Sequence, residues 1–263
     1  MRSYVYDSNE RLCKTIDPEA GAALVDYDAA GNILWTADGT ALTTLVCNRS
    51  SVTAGQTTRG YDALNRLLTV TTPGNVANVS TTYTPDGLVA SLVATNGSTG
   101  INPVTTTYSY NKRRLLTQET SAQTGLYSYA LSYNYDGNGF LYSQGYPDNL
   151  VVTYSPDALG RATQVAEAGG TVYASGITYF ANGAISGFSY GNGVVHTMTQ
   201  NARQLPARSR DVKGTAVILD DSVAFDGNGN VTDITDQAQA GLTTRGMGYD
   251  ALDRLTAAVS PGQ

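Results

Sequence analysis

Short runs of β-branched and aromatic residues alternate with turn-forming residues along the chain. Residues 67–72 (LLTVTT) form one such run, which ends at Pro73-Gly74, and residues 79–83 (VSTTY) form the next. Val, Thr and Tyr favour the pleated, half-buried surface of a sheet, whereas Gly and Pro favour turns. Good helix formers such as Lys and Glu are scarce. The pattern therefore predicts an all-β fold built from short hairpins.

A seven-residue motif recurs at the ends of the predicted strands. Residues 61–67 (YDALNRL) and 249–255 (YDALDRL) are almost identical, and residues 6–12 (YDSNERL) match them at four anchor positions. Repeats of this kind indicate a fold assembled from one recurring unit. We predict a single repeat region over residues 1–263, as a fragment of a larger protein. Its eleven repeats, about 24 residues apart, start near positions 6, 27, 61, 83, 110, 135, 154, 179, 198, 225 and 249.

Each residue type in the motif has a physical role in a hairpin. Tyr ends a strand, and Asp opens a turn in which its carboxylate accepts hydrogen bonds from the backbone N–H groups just ahead. Gly or Asn three residues later takes a positive φ at little cost. An aliphatic residue then starts the returning strand after a type I turn with a bulge. The predicted structural anchors are Tyr6, Asp7, Arg11, Tyr27, Asp28, Gly31, Tyr61, Asp62, Arg66, Leu67, Tyr135, Asp136, Gly139, Gly160, Arg161, Asp226, Gly229, Tyr249, Asp250, Arg254 and Leu255.

Neighbouring hairpins are expected to share their strand ladders. The tyrosines of successive repeats would then form a stripe of stacked rings, each hydroxyl reaching a polar partner or water, which accounts for 18 Tyr against 4 Phe. In the shifted copy at Tyr154 the turn residues are Asp157 and Gly160. About 22 strands would form a twisted ribbon. We expect the long insertion at residues 40–60 to be a loop at the rim, and residues 96–100 to be another loop.

Charge and hydropathy exclude two classes of partner. The net charge is −6 and the isoelectric point is about 4.7, and the densest basic run, Lys112-Arg113-Arg114, falls in a predicted turn. We therefore expect no nucleic-acid binding. No stretch reaches the roughly 18 apolar residues of a spanning helix, so no membrane span is expected. The first residues lead directly into repeat sequence, so no signal peptide is expected in this chain.

The candidates for metal or thiol chemistry are few. Cys13 and Cys47 lie 34 positions apart, and His196 is the only histidine. A zinc site needs about four N or S ligands. A disulfide is one alternative, but we favour two free, half-buried thiols. His196 lies in a predicted strand without a nucleophile motif, so we assign it a structural role.

Two acidic segments resemble functional sites but are better explained by strands and turns. Residues 226–230 (DGNGN) match the first half of a calcium-binding loop, but Val231 replaces the required Gly and Gln237 the required Glu. We therefore predict a turn. Asp220 and Asp221 are neighbours on a predicted strand, so they point to opposite faces and cannot act as a catalytic pair. We interpret them as solubilising charges that guard a strand or an edge. No catalytic, cofactor or metal site is predicted.

The motifs at residues 6–12, 61–67 and 249–255 resemble the YD repeats of the Rhs (rearrangement hotspot) family. This family includes bacterial Rhs polymorphic toxins, insecticidal toxin-complex components and the animal teneurins. The resemblance covers residues 6–262 and implies a long antiparallel sheet, curved or spiralling into a shell, of which this chain would form a part. In bacterial members the shell encloses a C-terminal toxin. The self-cleaving segment of many members is not recognisable here, and residues 17–21 (DPEAG) are expected to form a turn.

From this resemblance we expect a non-catalytic structural wall that encapsulates a toxin or another polypeptide. The expected partners are the remaining shell, from the same or a sister polypeptide, and the enclosed toxin domain. Self-association through the sheet ends is also expected. The full-length bacterial protein would be secreted or lie at the cell surface. The alternative is an extracellular adhesion or carbohydrate-binding module, in which Trp35 and unstacked tyrosines contact the ligand.

Overall fold

The computed structural model of the protein describes residues 2–95, 102–238 and 243–260. These residues form twenty-two β-strands and two 3-10 helices of one turn each, Arg49–Ser51 and Pro73–Asn75. The prediction of an all-β, antiparallel fold is confirmed. The loop expected at residues 96–100 lies outside the described residues. The chain divides into two compact units, Met1–Ser132 and Tyr133–Gln263.

Unit 1 is an antiparallel meander in which each strand pairs with the strands before and after it in the chain. Strand β11 crosses the boundary of the unit, and its residues up to Ser132 pair with β10. The strands are β1 (Ser3–Tyr6), β2 (Leu12–Asp17), β3 (Gly21–Tyr27), β4 (Ile33–Thr40), β5 (Thr57–Tyr61), β6 (Leu67–Thr71), β7 (Asn78–Tyr83), β8 (Val89–Thr95), β9 (Val104–Tyr110), β10 (Leu116–Gln123) and β11 (Tyr127–Tyr135).

Unit 2 repeats the same meander with similarly short strands. Its buried apolar side chains include Val152, Ala166 and Val194. The strands are β12 (Leu141–Gly145), β13 (Val151–Thr153), β14 (Gln164–Glu167), β15 (Val172–Tyr179), β16 (Ile185–Tyr190), β17 (Val195–Gln200), β18 (Pro206–Lys213), β19 (Ala216–Phe225), β20 (Val231–Asp236), β21 (Thr243–Tyr249) and β22 (Leu255–Val259).

The connections between strands follow from local sequence. Tyr6, Tyr27, Tyr61, Tyr135 and Tyr249 each end a strand. The register shifts by one residue immediately before four of them, at positions 6, 27, 61 and 249. This is the bulge expected when a type I turn closes a hairpin, and that prediction is confirmed. The run Lys112-Arg113-Arg114 lies in the turn between β9 and β10, as predicted, and residues 17–21 span the turn between β2 and β3.

The sequence predicted a loop at the rim for the insertion in the second repeat, and this prediction is wrong. Residues 41–56, between β4 and β5, fold back over one face of β2, β3 and β4. There Leu42 and Val52 pack against the hydrophobic cluster of the unit. The insertion takes this position because the strands beneath it carry apolar residues that would otherwise face water. The cluster consists of Ala22, Leu24, Trp35 and Ala37.

The expectation of two free thiols is wrong. Cys13 in β2 and Cys47 in the insertion form a disulfide, and the described residues contain no free cysteine. Sequence spacing could not show this pairing, because it depends on the insertion folding back onto β2. A cross-link closing a segment of this length restricts the unfolded chain and stabilises the fold by roughly 3–4 kcal/mol.

Candidate functional site

The recurring turn is built around an aspartate carboxylate. In the turn at Asp62, Oδ1 accepts the backbone N–H groups of Leu64 and Arg66, both at 2.9 Å. The N–H of Asn65 donates to the carbonyl of Asp62 at 3.0 Å, and Asn65 has a φ of 60°. The predicted roles of Asp and of the third residue after it are confirmed. The N–H of Asp62 also donates to the carbonyl of Arg66 at 3.0 Å. Turns with the same two backbone–backbone hydrogen bonds and a positive φ at the fourth residue begin at Asp7, Asp28, Thr84, Asn111, Asp136, Tyr146, Asp157, Phe180, Tyr190, Asn201, Asp226 and Asp250.

The motif arginine joins one repeat to the next. Arg66 donates through Nε to Oδ2 of Asp62 at 2.7 Å, and its guanidinium lies 4.3 Å from the ring centroid of Tyr83 in the following repeat. The hydroxyl of Tyr83 donates to the carbonyl of Leu67 at 2.8 Å. A cation over an aromatic face is attracted by the ring quadrupole. Asp62, Arg66 and Leu67 of one repeat thus hold the tyrosine of the next, and we call this arrangement the inter-repeat clamp.

The clamp recurs along both units. Arg11 lies over the ring of Tyr27 at 4.7 Å, and Arg161 lies over Tyr179 at 4.5 Å. The tyrosine hydroxyl also contributes a hydrogen bond that phenylalanine at the same position could not make. The hydroxyl-to-carbonyl hydrogen bonds join Tyr27 to Leu12, Tyr61 to Ile33, Tyr83 to Leu67, Tyr110 to Val89, Tyr179 to Ala162 and Tyr249 to Val231, at 2.7–3.0 Å.

The expected stripe of stacked tyrosine rings is wrong in its geometry. Arginine side chains lie over the rings of Tyr27, Tyr83 and Tyr179. Tyr127 and Tyr129 do stack, with ring centroids 5.1 Å apart, but both lie in β11 and not in successive repeats. The prediction that the hydroxyls reach polar partners is confirmed. For the six tyrosines above, those partners are backbone carbonyls of the preceding repeat, whereas the hydroxyl of Tyr154 donates to Oε1 of Gln144 at 3.3 Å.

Several turn carboxylates have a pKa below the ordinary value of aspartate. The guanidinium of Arg161 lowers the pKa of Asp157 below its ordinary value, and Arg254 does the same for Asp250. At Asp62 the main cause of the lowered pKa is the backbone N–H of Arg66. Hydrogen bonds to the charged form of a carboxylate favour that form. A carboxylate held in this way is a poor proton donor or acceptor near neutral pH, so it acts as a structural group.

Gly160 shows why one anchor must be glycine. Its φ is +79°, and a Cβ atom at this position would lie 2.5 Å from the ring of Phe140. Phe140 occupies the position that arginine takes in other repeats, and its N–H donates to Asp136 Oδ1 at 2.9 Å. The phenyl ring therefore packs directly against the glycine of the next repeat. The anchors Gly31, Gly139 and Gly229 have φ of 90–97°, and at Gly31 and Gly229 no atom lies within 4 Å of the place where a Cβ would stand.

Two details of the predicted repeats differ in the structure. The repeat predicted to start at Met198 has its turn at Asn201, and its strand ends at Gln200. Sequence analysis also missed turns of the same geometry at Tyr146 and Tyr190. Their signals were Asn149 and Gly193, which adopt positive φ at the fourth position of the turn.

The anchors Tyr6 and Leu255 are 59% and 58% exposed, so neither is buried by a clamp in this chain.

His196 pairs with a residue that sequence analysis did not identify. Its Nδ1 lies 2.7 Å from Oδ1 of Asp211 on the adjacent strand, and its ring centroid is 4.9 Å from that of Phe188. The contact follows from the register, which places His196 opposite Asp211. In the described part of the chain, no recorded hydrogen bond joins His196 to a serine or a cysteine. The pair cross-links β17 and β18.

Asp220 is not the solubilising edge charge that we expected. It is 4% exposed on β19, which lies between β18 and β20. Arg208 binds both of its carboxylate oxygens at 2.5 and 2.6 Å, and Arg210 donates to Oδ2 at 3.1 Å. The hydrogen bond from Arg208 is the main cause of a lowered Asp220 pKa. Asp221 instead pairs with Arg245 at 3.2 Å, so the two aspartates act separately.

The remaining candidates are resolved by their contacts. Asp226 accepts the N–H groups of Asn228 and Asn230, both at 2.9 Å, as in the other turns, so the interpretation of residues 226–230 as a turn is confirmed. Trp35 is 8% exposed in the cluster beneath the insertion, so it cannot serve as the sugar contact considered above.

Among the described residues, no group of three or more His, Cys, Asp and Glu could hold a metal ion. No helix in the same residues is long and apolar enough to cross a membrane.

No family model and no curated protein match the sequence. Solved structures do match, over 98% of this chain. The crystal structure of TcdB2-TccC3-Cdc42 has a TM-score of 0.67 at 18% identity, and that of TcdB2-TccC3 without its hypervariable C-terminal region has 0.66 at 18%. The Photorhabdus luminescens Tc holotoxin pore has 0.66 at 17%. This chain spans 15% of the matched chain in each of these three structures. The protein thus has the antiparallel β fold of a segment of these toxin-complex structures.

Proposed function

We propose that this chain is a non-catalytic wall segment of a YD-repeat, Rhs-type shell that encloses another polypeptide, such as a toxin. The inter-repeat clamp carries the proposal. It joins neighbouring repeats through backbone carbonyls and arginines, as between Arg66 and Tyr83, so the sheet can be extended repeat by repeat without a large hydrophobic core. A fold similar to TcdB2-TccC3 over 98% of the chain supports this interpretation.

The chemistry of the described side chains supports a structural role. The turn carboxylates are paired with arginines or backbone N–H groups, as at Asp62 and Asp157. The His196–Asp211 pair bridges two strands. Catalysis requires groups free to bind a substrate or to exchange a proton with it. In the turns and in this pair, those groups are already engaged with the protein itself.

The partners and the location follow from the same proposal. A chain that spans 15% of the matched structures would need further wall to enclose a volume, supplied by the same polypeptide or by a sister chain. The enclosed partner would be a toxin domain or another polypeptide. Unpaired strand edges also favour self-association of the isolated chain. The full-length protein would act after secretion or at the cell surface.

Small-angle X-ray scattering combined with light scattering tests the proposal on the chain itself. A wall segment is expected to give a curved, arc-like particle whose distance distribution extends well beyond that of a solid globule of the same mass. A compact, solid particle would overturn the shell proposal. Light scattering supplies the mass, so that an elongated monomer is distinguished from an oligomer.

A carbohydrate-binding function is the second candidate, favoured by exposed tyrosines. Tyr129 is 57% exposed and stacks on Tyr127, and Tyr142 is 50% exposed. Such rings can pack against the apolar face of a sugar while their hydroxyls stay in water. A glycan array tests this directly. Saturable binding to one sugar class that is lost in Tyr129→Ala would favour this function over the wall.

A further inference from the structure

The insertion at residues 41–56, which we call the latch loop, covers the main hydrophobic cluster of unit 1. Leu42 and Val52 of the loop pack on this cluster, which includes Leu24 and Trp35. Arg49 of the loop donates to the carbonyl of Val25 at 2.9 Å. The inter-repeat clamps connect neighbouring hairpins. The latch loop differs from them, because it is an insertion that lies across one face of the strands. Its removal would expose apolar surface without cutting any strand ladder.

Two adjacent residues of β2 anchor two adjacent residues of the loop. Cys13 is bonded to Cys47, and the Nζ of Lys14 donates to the side-chain oxygen of Asn48. Lys14 also donates to the carbonyl of Thr44 at 3.1 Å. In the closed loop, one covalent bond to β2 therefore lies directly beside the hydrogen bonds of a buried lysine.

Lys14 opposes closure of the loop that it contacts. It is 0% exposed, and both recorded partners of its ammonium group are uncharged. Burial lowers the pKa of Lys14 below its ordinary value, which reflects the cost of removing the ammonium from water. A buried charge without a counter-ion is costly. If the loop opened, the ammonium would regain its hydration, so Lys14 favours the open state.

Arg49 and the apolar contacts favour the closed state instead. The guanidinium of Arg49 pairs with Asp7 at 3.0 Å and with Asp26 at 3.2 Å. The side chains of these pairs are 9–28% exposed, and the hydrogen bond from Arg49 contributes to a lowered Asp7 pKa. The disulfide adds to the closing free energy, because it removes the entropy cost of bringing the loop back to β2.

We propose that the latch loop is a redox-controlled element, closed by the Cys13–Cys47 disulfide and opened when a small thiol reduces it, with rehydration of Lys14 driving the opening. Cys13 is 0% exposed and Cys47 is half-buried. The thiolate of the small reductant therefore attacks the sulfur of Cys47. The Cys13 thiolate leaves, and a mixed disulfide forms at Cys47. A second thiolate attacks the external sulfur of that mixed disulfide. The Cys47 thiolate leaves, two thiols have been oxidised to one disulfide, and both cysteines are reduced.

This inference is independent of the proposed wall function, because it concerns unit 1 alone. Its consequence is an apolar face that is covered under oxidising conditions and open under reducing ones. Disulfides persist outside the cytosol and are reduced inside it. The loop would thus report the passage of the protein from one environment to the other.

Trp35 is the only tryptophan of the chain and lies under the latch loop, so its fluorescence reports opening. Addition of dithiothreitol to the wild-type chain should shift Trp35 emission to longer wavelength. The amides of Ser51 and Val52, which close the loop's 3-10 turn at 3.1 Å, should exchange with deuterium on the order of a hundredfold faster, as loss of the cross-link predicts. Re-oxidation should reverse both changes, while far-UV circular dichroism remains that of a β-sheet.

Two variants make the test decisive. The double variant Cys13→Ser/Cys47→Ser should be open without reductant and insensitive to it. In Lys14→Met, which replaces the ammonium by an apolar end of similar length, the loop should remain closed after reduction. Alkylation of both cysteines verifies that reduction is complete. Unchanged Trp35 emission and exchange in fully reduced wild type would refute the latch, and opening of reduced Lys14→Met equal to that of wild type would refute the role of Lys14.

Discussion

The hydroxyl of Tyr83 lies 2.8 Å from the carbonyl oxygen of Leu67, one repeat earlier in the chain. Leu67 is the residue that starts the returning strand of its hairpin. The same contact joins five other tyrosines to the same position of the repeats before them. It links neighbouring hairpins in addition to their shared ladder and to the contact between arginine and the tyrosine ring, and it explains why the repeat uses tyrosine.

Tyr83→Phe should therefore destabilise unit 1 while leaving its fold intact. Loss of one partly buried hydrogen bond costs about 1 kcal/mol, and the carbonyl of Leu67 loses its side-chain donor. Urea unfolding followed by circular dichroism measures the difference. The matched control is Tyr129→Phe, which removes a hydroxyl from a side chain that is 57% exposed and should be neutral. Equal effects of the two substitutions would contradict the clamp.

The aspartate of the turn contributes through two separate oxygens, and two substitutions distinguish them. Asp62→Asn keeps an oxygen that can accept the backbone N–H groups of Leu64 and Arg66 but loses the charge that Arg66 binds. Asp62→Ala loses both. The midpoint of urea unfolding should therefore fall more for Asp62→Ala than for Asp62→Asn. Asp38→Ala, at an exposed position in β4, is the control and should leave the midpoint unchanged. A smaller loss for Asp62→Ala than for Asp62→Asn would contradict this division.

The sequence predicted those features of the fold that depend on residues close together in the chain. Asp62 and Asn65 belong to one turn, so their roles follow from turn chemistry alone. Contacts set by strand register were not predictable in this way. The partner of His196 is Asp211 because the two strands align at that position, and a shift of one residue would place the side chains on opposite faces. The Cys13–Cys47 bond required knowledge of how the insertion folds back.

Acid should weaken the repeats through their turn carboxylates. The pKa of Asp157 is lowered from an ordinary value of 3.8 chiefly by the hydrogen bond from Arg161, and that of Asp226 chiefly by the side chain of Asn230. A carboxyl whose pKa is lowered in the folded state stabilises the fold above its unfolded pKa. That contribution is lost as pH falls through the folded pKa.

Urea midpoints measured between pH 7 and pH 2 should therefore be flat at the upper end and fall below about pH 4. Asp157→Asn should reduce the slope of that fall, because its side chain does not titrate. Asp38→Asn, in which an exposed carboxyl of β4 is replaced, should leave the slope unchanged. A wild-type midpoint independent of pH over this range would contradict the role given to the turn carboxylates.

Gly160 and Gly183 separate backbone strain from steric overlap, because both have positive φ but only one is crowded. Gly183 has a φ of +87° and no atom within 4 Å of the place where a Cβ would stand, whereas at Gly160 that atom would lie 2.5 Å from Phe140. Gly183→Ala should cost about 1 kcal/mol from the left-handed backbone alone. Gly160→Ala should lower the free energy of unfolding by about 2–4 kcal/mol, because the Phe140 ring must also move.

Urea unfolding measures both values. The added substitution Phe140→Leu should recover part of the loss in Gly160→Ala by removing the ring. If Gly160→Ala and Gly183→Ala cost the same, the packing of Phe140 on the next repeat does not contribute to stability.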